Sequence, residues 1–289
     1  MTNEIIISII IPHHNTPKLL YRCLDSIPER DDIQIIVVDD NSEENKKPYY
    51  DKSNVEFVYL LKNESKGAGK ARNIGLAKAK GKWLLFADAD DFFVDNFVDK
   101  ISTYLASDND MILFKADSVD CETLEPANRN MILNSAVDSF FQGVLSSREV
   151  SLSTHVPWCR LIKRSIIEQH SIKFDEVIAS NDTMFTTKVS CLSNDIVISN
   201  ETLYVVTYRK GSLWDKRRTD PNNYLARLEV QIRRNRYLTQ FGYKKTQIIG
   251  SVIKSIDFGP LTFLKALFLC LRYNAFCDGF SQILKYNRK

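Results

Sequence analysis

Over the first third of the chain, short apolar runs alternate with amphipathic stretches, the pattern of a doubly wound α/β sheet. Ile5 to Ile11 reads as a strand buried on both faces. Pro17 suits the first turn of a helix capped by Asn15 or Thr16, whose apolar stripe is Leu19, Leu20, Cys23, Leu24 and Ile27; Pro28 ends it. Further strands are predicted over Ile33 to Val38, Val55 to Leu60 and Trp83 to Ala87, with a helix from about Gly69 to Ala79 before the last of them. A helix from Val94 to Leu105 and a strand from Met111 to Phe114 follow, and the pattern is then less regular until Trp158. Past Pro221 it turns helical and basic, with helices predicted over Tyr224 to Phe241, Thr246 to Ile256 and Leu261 to Phe276. The expected organisation is an α/β domain over 1–218, in two halves that meet at about 116–117, and a helical appendage over 219–289.

Composition narrows the class. A chain of 289 residues with 44% hydrophobic and 26% charged residues buries a sizeable core, which excludes disorder or a fibrous repeat. A formal charge of +3 does not suggest a nucleic-acid-binding protein. Cys23, Cys121, Cys159, Cys191, Cys270 and Cys277 form no CxxC pair and stand at no zinc-ligand spacing, so they read as core residues of a reducing compartment, and any metal must be held by oxygen. Glu4 precedes the first strand without a basic leader, and no apolar stretch reaches ~18 residues, so the expected location is cytoplasmic and no spanning helix is indicated.

Two acidic turns, Asp39-Asp40-Asn41-Ser42 and Asp88-Ala89-Asp90-Asp91, each follow a predicted strand, and ligands of α/β sheets collect beyond the carboxyl ends of strands. Asp88 and Asp90 are one residue apart, so on an extended segment they point to the same side and can share one hard divalent cation. Such a cation neutralises charge developing on a diphosphate leaving group. An acidic turn by itself is most often a solvated loop or a helix cap. Gly67-Ala-Gly-Lys70 is not a phosphate loop, because Glu64 stands where the first glycine is needed and Ala71 follows the lysine. No GxGxxG follows the first strand, which argues against a dinucleotide dehydrogenase.

Taken in order, Ser8 to Asn15 (SIIIPHHN), Val37 to Ser42 (VVDDNS), Ala71 to Gly75 (ARNIG), Asp88 to Asp91 (DADD), Trp158 to Lys163 (WCRLIK), Asn181 to Phe185 (NDTMF) and Tyr208-Arg209 resemble the inverting family 2 glycosyltransferases of GT-A fold, of the bacterial surface-polysaccharide type. The resemblance implies a GT-A-like mixed sheet and transfer of a sugar from a UDP-sugar to a hydroxyl of a glycan acceptor, lipid-linked acceptors included. It implies a divalent cation, Mn²⁺ or Mg²⁺. Asp40 would hydrogen-bond the donor's base, Pro12 and His14 would line the base pocket, and Arg72, Asp88 and Arg209 would lie at the donor. Asp90, with Asp88, would hold the metal, and Asp182 would be the catalytic base. Two positions depart from the pattern: His14 stands where the family commonly has an aromatic residue, and Asn181 where it commonly has Glu on the acceptor side.

The chemistry asks independently for a group like Asp182, since a single in-line displacement needs a carboxylate to take the acceptor's proton; the competing reading is a cap for the helix from Thr183 to Leu192. Trp158 reads as an acceptor platform or as core. Arg209, Lys210, Lys216, Arg217 and Arg218 around Trp214 read as a solvated basic loop or as a flap over phosphates. In the C-terminal segment, Lys265 and Arg272 share a face, so Leu264, Leu267, Phe268 and Leu271 would enter an anionic membrane interface with Lys285, Arg288 and Lys289 nearby, or else pack on protein. The rival functional class is a catalytically silent nucleotide-sugar-binding or scaffold protein; a nucleotidyltransferase is opposed by the absence of a glycine-rich loop after Ile11.

Overall fold

The computed structural model describes residues 4–211 and 219–275, so Trp214, Lys216, Arg217, Arg218, Phe276, Cys277, Lys285, Arg288 and Lys289 lie outside the described residues. In chain order the elements are β1 (Ile7–His13), α1 (Pro17–Asp25), β2 (Ile33–Asp39), β3 (Val55–Tyr59), α2 (Ala68–Lys78), β4 (Trp83–Phe86), β5 (Phe92–Phe93), α3 (Phe97–Leu105), β6 (Met111–Asp120), α4 (Met131–Phe141), α5 (Ser147–Ser153), β7 (Arg160–Lys163), α6 (Arg164–Gln169), α7 (Thr183–Leu192), β8 (Ile196–Tyr208), α8 (Pro221–Gln240), α9 (Ile249–Lys254) and α10 (Pro260–Arg272). The chain divides into two compact units: Met1–Glu176 with Phe185–Arg209, and Val177–Met184 with Lys210–Lys289.

The first unit is built on a sheet of order β3-β2-β1-β4-β7-β6-β8-β5. β3, β2, β1 and β4 run parallel, and β7 is antiparallel to both β4 and β6. β6 and β8 are parallel to each other, so the sheet is mixed. β1, β2 and β4 carry almost only apolar side chains because both of their faces are buried; every residue of β2 is buried. A side chain at Gly75 would collide with Ile10, so α2 lies hard against β1. Strand order turns back at β1, with β2 on one side and β4 on the other, which gathers the carboxyl ends of these three strands along one edge.

Several elements differ from the sequence pattern for local reasons. The helix expected from Val94 begins at Phe97, because Val94 donates its N–H to the Leu203 carbonyl and Asn96 takes a left-handed φ of 57°. The strand expected to stop at Phe114 continues to Asp120 through pairing with β8. The Ser146 capping box starts α5 within the stretch that lacked periodicity. Thr16 occupies the N-cap of α1 but makes no side-chain cap bond, while Asn15 sits at a φ of 57°. Arg160 of β7 is fully buried, its guanidinium donating to the carbonyls of Ser151, Thr154 and Val156 and to the hydroxyls of Thr154 and Ser190.

The second unit carries α8, α9 and α10. Asp220 caps α8 by accepting from the backbone of Asn222 and Asn223, with Pro221 in the first turn. Leu228, Ile232, Ile248, Val252, Ala266 and Cys270 form its core. Buried Asn235 donates to the Thr246 carbonyl (2.7 Å) and accepts from the Thr246 N–H (3.0 Å), which fixes the connection ahead of α9. Leu267 packs against this core rather than outward, and Leu261 joins Leu264, Phe268 and Leu271 on the outer face of α10, each at least 60% exposed. Among the described residues no helix is long and apolar enough to cross a membrane.

Candidate active site

The edge formed by β1, β2 and β4 brings the two acidic turns of the first unit to the same end of the sheet. At the ends of β1 and β2, buried His13 lies 2.7 Å from Asp39 through Nδ1, and its Nε2 accepts the Thr16 N–H at 3.1 Å. These partners assign Nδ1 as the protonated nitrogen that donates to the carboxylate. Ser42 donates to the same Asp39 oxygen at 2.5 Å, and its backbone N–H donates to the other at 3.0 Å. Burial pushes the Asp39 carboxyl up, but the hydrogen bonds from His13 and Ser42 outweigh it and hold the group below the ordinary carboxylate range. His13 thus ties together the two loops that carry His14 and Asp40.

His14 is exposed and donates through Nδ1 to the Asp40 carbonyl at 3.0 Å, while Nε2 accepts from Asn15. Pro12 pairs in register with Val38 of the neighbouring strand β2. Asp40 is 7% exposed; its Oδ2 accepts the Gly67 N–H at 2.9 Å, and its buried Oδ1 has no hydrogen-bond partner among the described residues. Gly67 holds a φ of 80°, a conformation that favours glycine, to present that N–H. A buried carboxylate oxygen left open costs free energy unless a ligand donates to it.

At the end of β4, the Asp88 N–H donates to the hydroxyl of buried Tyr204 at 2.8 Å. Arg72, 5% exposed on α2, lies 2.5 Å from Asp88 Oδ1 and over the Phe174 ring. Asp90 Oδ2 is 3.5 Å from Arg209 Nε. Burial and then the Asp88 charge push the Asp90 carboxyl up. Burial, then the charges of Asp90 and Asp88, push fully buried Asp91 further. Asp91 accepts the Thr207 N–H at 2.7 Å, and the Thr207 hydroxyl donates to the Asp90 carbonyl at 2.9 Å. Arg129, which no motif marked, donates to the Thr207 carbonyl and adds positive charge that opposes the upward shifts of Asp90 and Asp91.

Crowded carboxylates with hard oxygen donors are what a divalent cation relieves, and Asp88 and Asp90 retain exposures of 30% and 22% through which one can be reached. Among the described residues no group of three or more His, Cys, Asp or Glu side chains is gathered for a metal, so an ion held here takes its other ligands from substrate and water. Trp158 is 3% exposed and stacked on Tyr204 with ring centroids 5.5 Å apart, a place in the core rather than an open platform. Asn181 and Asp182 belong to the second unit, both partly buried. There, burial lowers the pKa of the Arg227 guanidinium and the Asp182 charge opposes that shift.

Comparison with known proteins supplies the family. The model of "Glycosyl transferase family 2" matches residues 8–171. The poly(ribitol-phosphate) beta-N-acetylglucosaminyltransferase TarS of Staphylococcus aureus is 25% identical over 228 residues, which is 75% of this chain but 38% of that protein. The crystal structure of S. aureus TarS 1-349 in complex with UDP-GlcNAc superposes with a TM-score of 0.61 at 20% identity, over 86% of this chain and 69% of that one. A mannosyltransferase from Pyrobaculum calidifontis, solved with GDP-Man and Mn²⁺, has a TM-score of 0.53 at 15% identity over 93% and 75% of the respective chains. These structural likenesses establish a GT-A-like fold.

Proposed function

Because the chain belongs to glycosyl transferase family 2, we propose that it transfers a sugar, with inversion, from a UDP-sugar to a hydroxyl of a glycan acceptor in bacterial polysaccharide assembly. The observation that carries this reading is the buried, unpartnered Asp40 Oδ1 at the same sheet edge as the Asp88–Asp91 turn. A base N–H satisfies the first, and a cation-bound diphosphate satisfies the second. UDP binding by the TarS relative supports uracil as that base.

In this reading Pro12 and His14 flank the base, and Asp40 fixes it. Arg72 holds Asp88 toward the ribose, and Arg209, released from Asp90, meets the diphosphate. Asp90 with Asp88 holds Mn²⁺ or Mg²⁺, which when bound supplies positive charge to the departing diphosphate. The acceptor oxygen attacks the anomeric carbon on the face opposite the phosphate, and the carbon–oxygen bond to phosphate breaks with its electron pair leaving on UDP. Asp182 takes the hydroxyl proton as the new bond forms. Asn181 lies on the acceptor side. We take residues 1–218 as the catalytic part and 219–289 as an appendage, in a cytoplasmic enzyme. The direct test is incubation with a panel of UDP-sugars, Mn²⁺ and glycan acceptors; no UDP release from any donor, with UDP still bound, returns the chain to the silent-binder class.

Asp40→Ala is expected to weaken UDP binding by about 1–3 kcal/mol, because a buried hydrogen-bond partner is removed. Calorimetry with unchanged UDP affinity would take Asp40 out of the donor site.

The outer face of α10 supports attachment to an anionic membrane surface, where a lipid-linked acceptor would be found. Leu261, Leu264, Phe268 and Leu271 are exposed together, with Lys265 and Arg272 along one flank and no acidic residue on the helix. Apolar side chains enter such an interface while flanking cations stay with the headgroups, each adding about 1 kcal/mol. Co-sedimentation with anionic liposomes should fall at least ~10-fold in a Leu264→Asp, Phe268→Asp double variant, with UDP binding intact. A parent chain that ignores such liposomes leaves α10 as a packing surface for protein.

A further inference from the structure

We infer that Arg22 is a positioning residue for the metal carboxylate: its guanidinium fork on α1 holds the main chain of Asp90 against the turn at Cys121. Asp90 lies between β4 and β5, outside any strand, so no ladder of sheet hydrogen bonds fixes its place. Its carbonyl is held instead by side chains. Arg22 Nη2 donates to the Asp90 carbonyl at 2.8 Å, and Nη1 donates to the Cys121 carbonyl at 2.9 Å. The guanidinium stands over the Phe92 ring, 5.0 Å from its centroid. Among the described residues no carboxylate forms an ion pair with Arg22, so its charge is spent on two carbonyls and a ring face.

The base of this bracket is rigid. Cys23, Leu24 and Ile27 are fully buried. One turn beyond Arg22, Ser26 accepts the Phe93 N–H at 3.0 Å, so α1 holds the chain on both sides of Asp91. On the far side, the Cys121 N–H donates to the Tyr208 carbonyl at 2.9 Å, and the Thr207 hydroxyl donates to the Asp90 carbonyl. Arg22 thus joins α1, the acidic turn and the end of β6, segments 68 and 99 residues away in sequence. A planar fork can span two carbonyls at once, whereas a lysine ammonium on its flexible stem cannot hold both in fixed geometry. Groups that orient a metal's ligands typically account for about 10- to 100-fold in metal affinity. This inference rests on the reading of Asp90 as the cation's ligand.

The test measures UDP affinity by calorimetry in Mn²⁺ and in chelator, for the parent, Arg22→Lys and Arg22→Met. The ratio of the two affinities reports how well the acidic turn holds the cation, and it does so without turnover. Both variants are expected to bind UDP in chelator within twofold of the parent, to keep its melting temperature within a few degrees, and to lose about tenfold of the Mn²⁺-dependent gain. A helix staple with a purely structural role would lower the melting temperature and leave the ratio unchanged. A parental ratio in either variant overturns the inference: in Arg22→Lys because charge rather than the fork then suffices, in Arg22→Met because neither is needed. If Arg22→Met unfolds, Arg22→Lys decides, since its stem and charge remain; if Arg22→Lys unfolds as well, Arg22 is a folding staple and the inference falls. A parent whose UDP affinity does not respond to Mn²⁺ defeats the assignment of Asp90 itself, and that outcome is visible before any variant is made.

Discussion

Asp182→Asn is expected to lower turnover by ~10²-fold or more while the protein melts as the parent does. The amide has the size of the carboxylate and is an equally good helix cap, so the start of α7 keeps its geometry, but it cannot take a proton from an attacking hydroxyl. The substitution also removes the negative charge that opposes the downward pKa shift of half-buried Arg227, so any cost in stability would come from that electrostatic interaction within the second unit and would be small. Steady-state kinetics beside a thermal melt separates the roles. A variant that melts early yet keeps its specific activity makes Asp182 a cap and an ion partner, and the proton acceptor must then be sought elsewhere.

Asp90→Ala is expected to abolish nearly all turnover, with chelation of the parent producing the same loss. Stability should not fall with it. Asp88, Asp90 and Asp91 crowd their charges, and burial together with the Asp88 charge already pushes the Asp90 carboxyl up, so removing this carboxylate relieves repulsion while the backbone bonds from Arg22 and Thr207 remain. Activity and thermal stability are thus expected to move independently, or in opposite directions. Full activity in chelator, with Asp90→Ala folded, would remove the cation from the mechanism and leave Arg209 and Arg129 as the positive charge available to a leaving diphosphate.

The parts of the fold legible in the sequence are those whose environment is uniform along the element. β1, β2 and β4 are buried on both faces, so nearly every side chain is apolar and the runs stand out from their surroundings. β7 was invisible for the opposite reason. It has four residues, two of them cationic, and Arg160 is buried only because carbonyls and hydroxyls from α5, the loop after it and α7 converge on its guanidinium. The far half of β6 likewise exists because β8 supplies partners from Thr202 to Tyr208, a pairing across some ninety residues that no local pattern encodes. On α10, periodicity found the amphipathic character, but which leucines face inward was decided by the small core residues Ala266 and Cys270, which draw Leu267 inward and leave Leu261 outside.

The sequence by itself determined the chemical inventory: two acidic turns placed after buried strands, no thiol or imidazole set for a metal, and an ordered series of motifs that identifies the family. It could do so because residue identity and motif order belong to the chain itself, whatever surrounds them; the extended segment expected for Asp88 and Asp90 is instead a turn, closed by the Asp91 N–H donating to the Asp88 carbonyl at 3.0 Å. Only the tertiary structure decided which of these groups remain available. Asp39 is saturated by His13 and Ser42, whereas its neighbour Asp40 keeps a buried oxygen unpaired. Trp158 is spent on Tyr204 within the core. Asp90 is held by an arginine on α1 that carries no motif. Saturation, burial and bracing depend on contacts between segments far apart in the chain, and such contacts come into being only when the sheet is assembled.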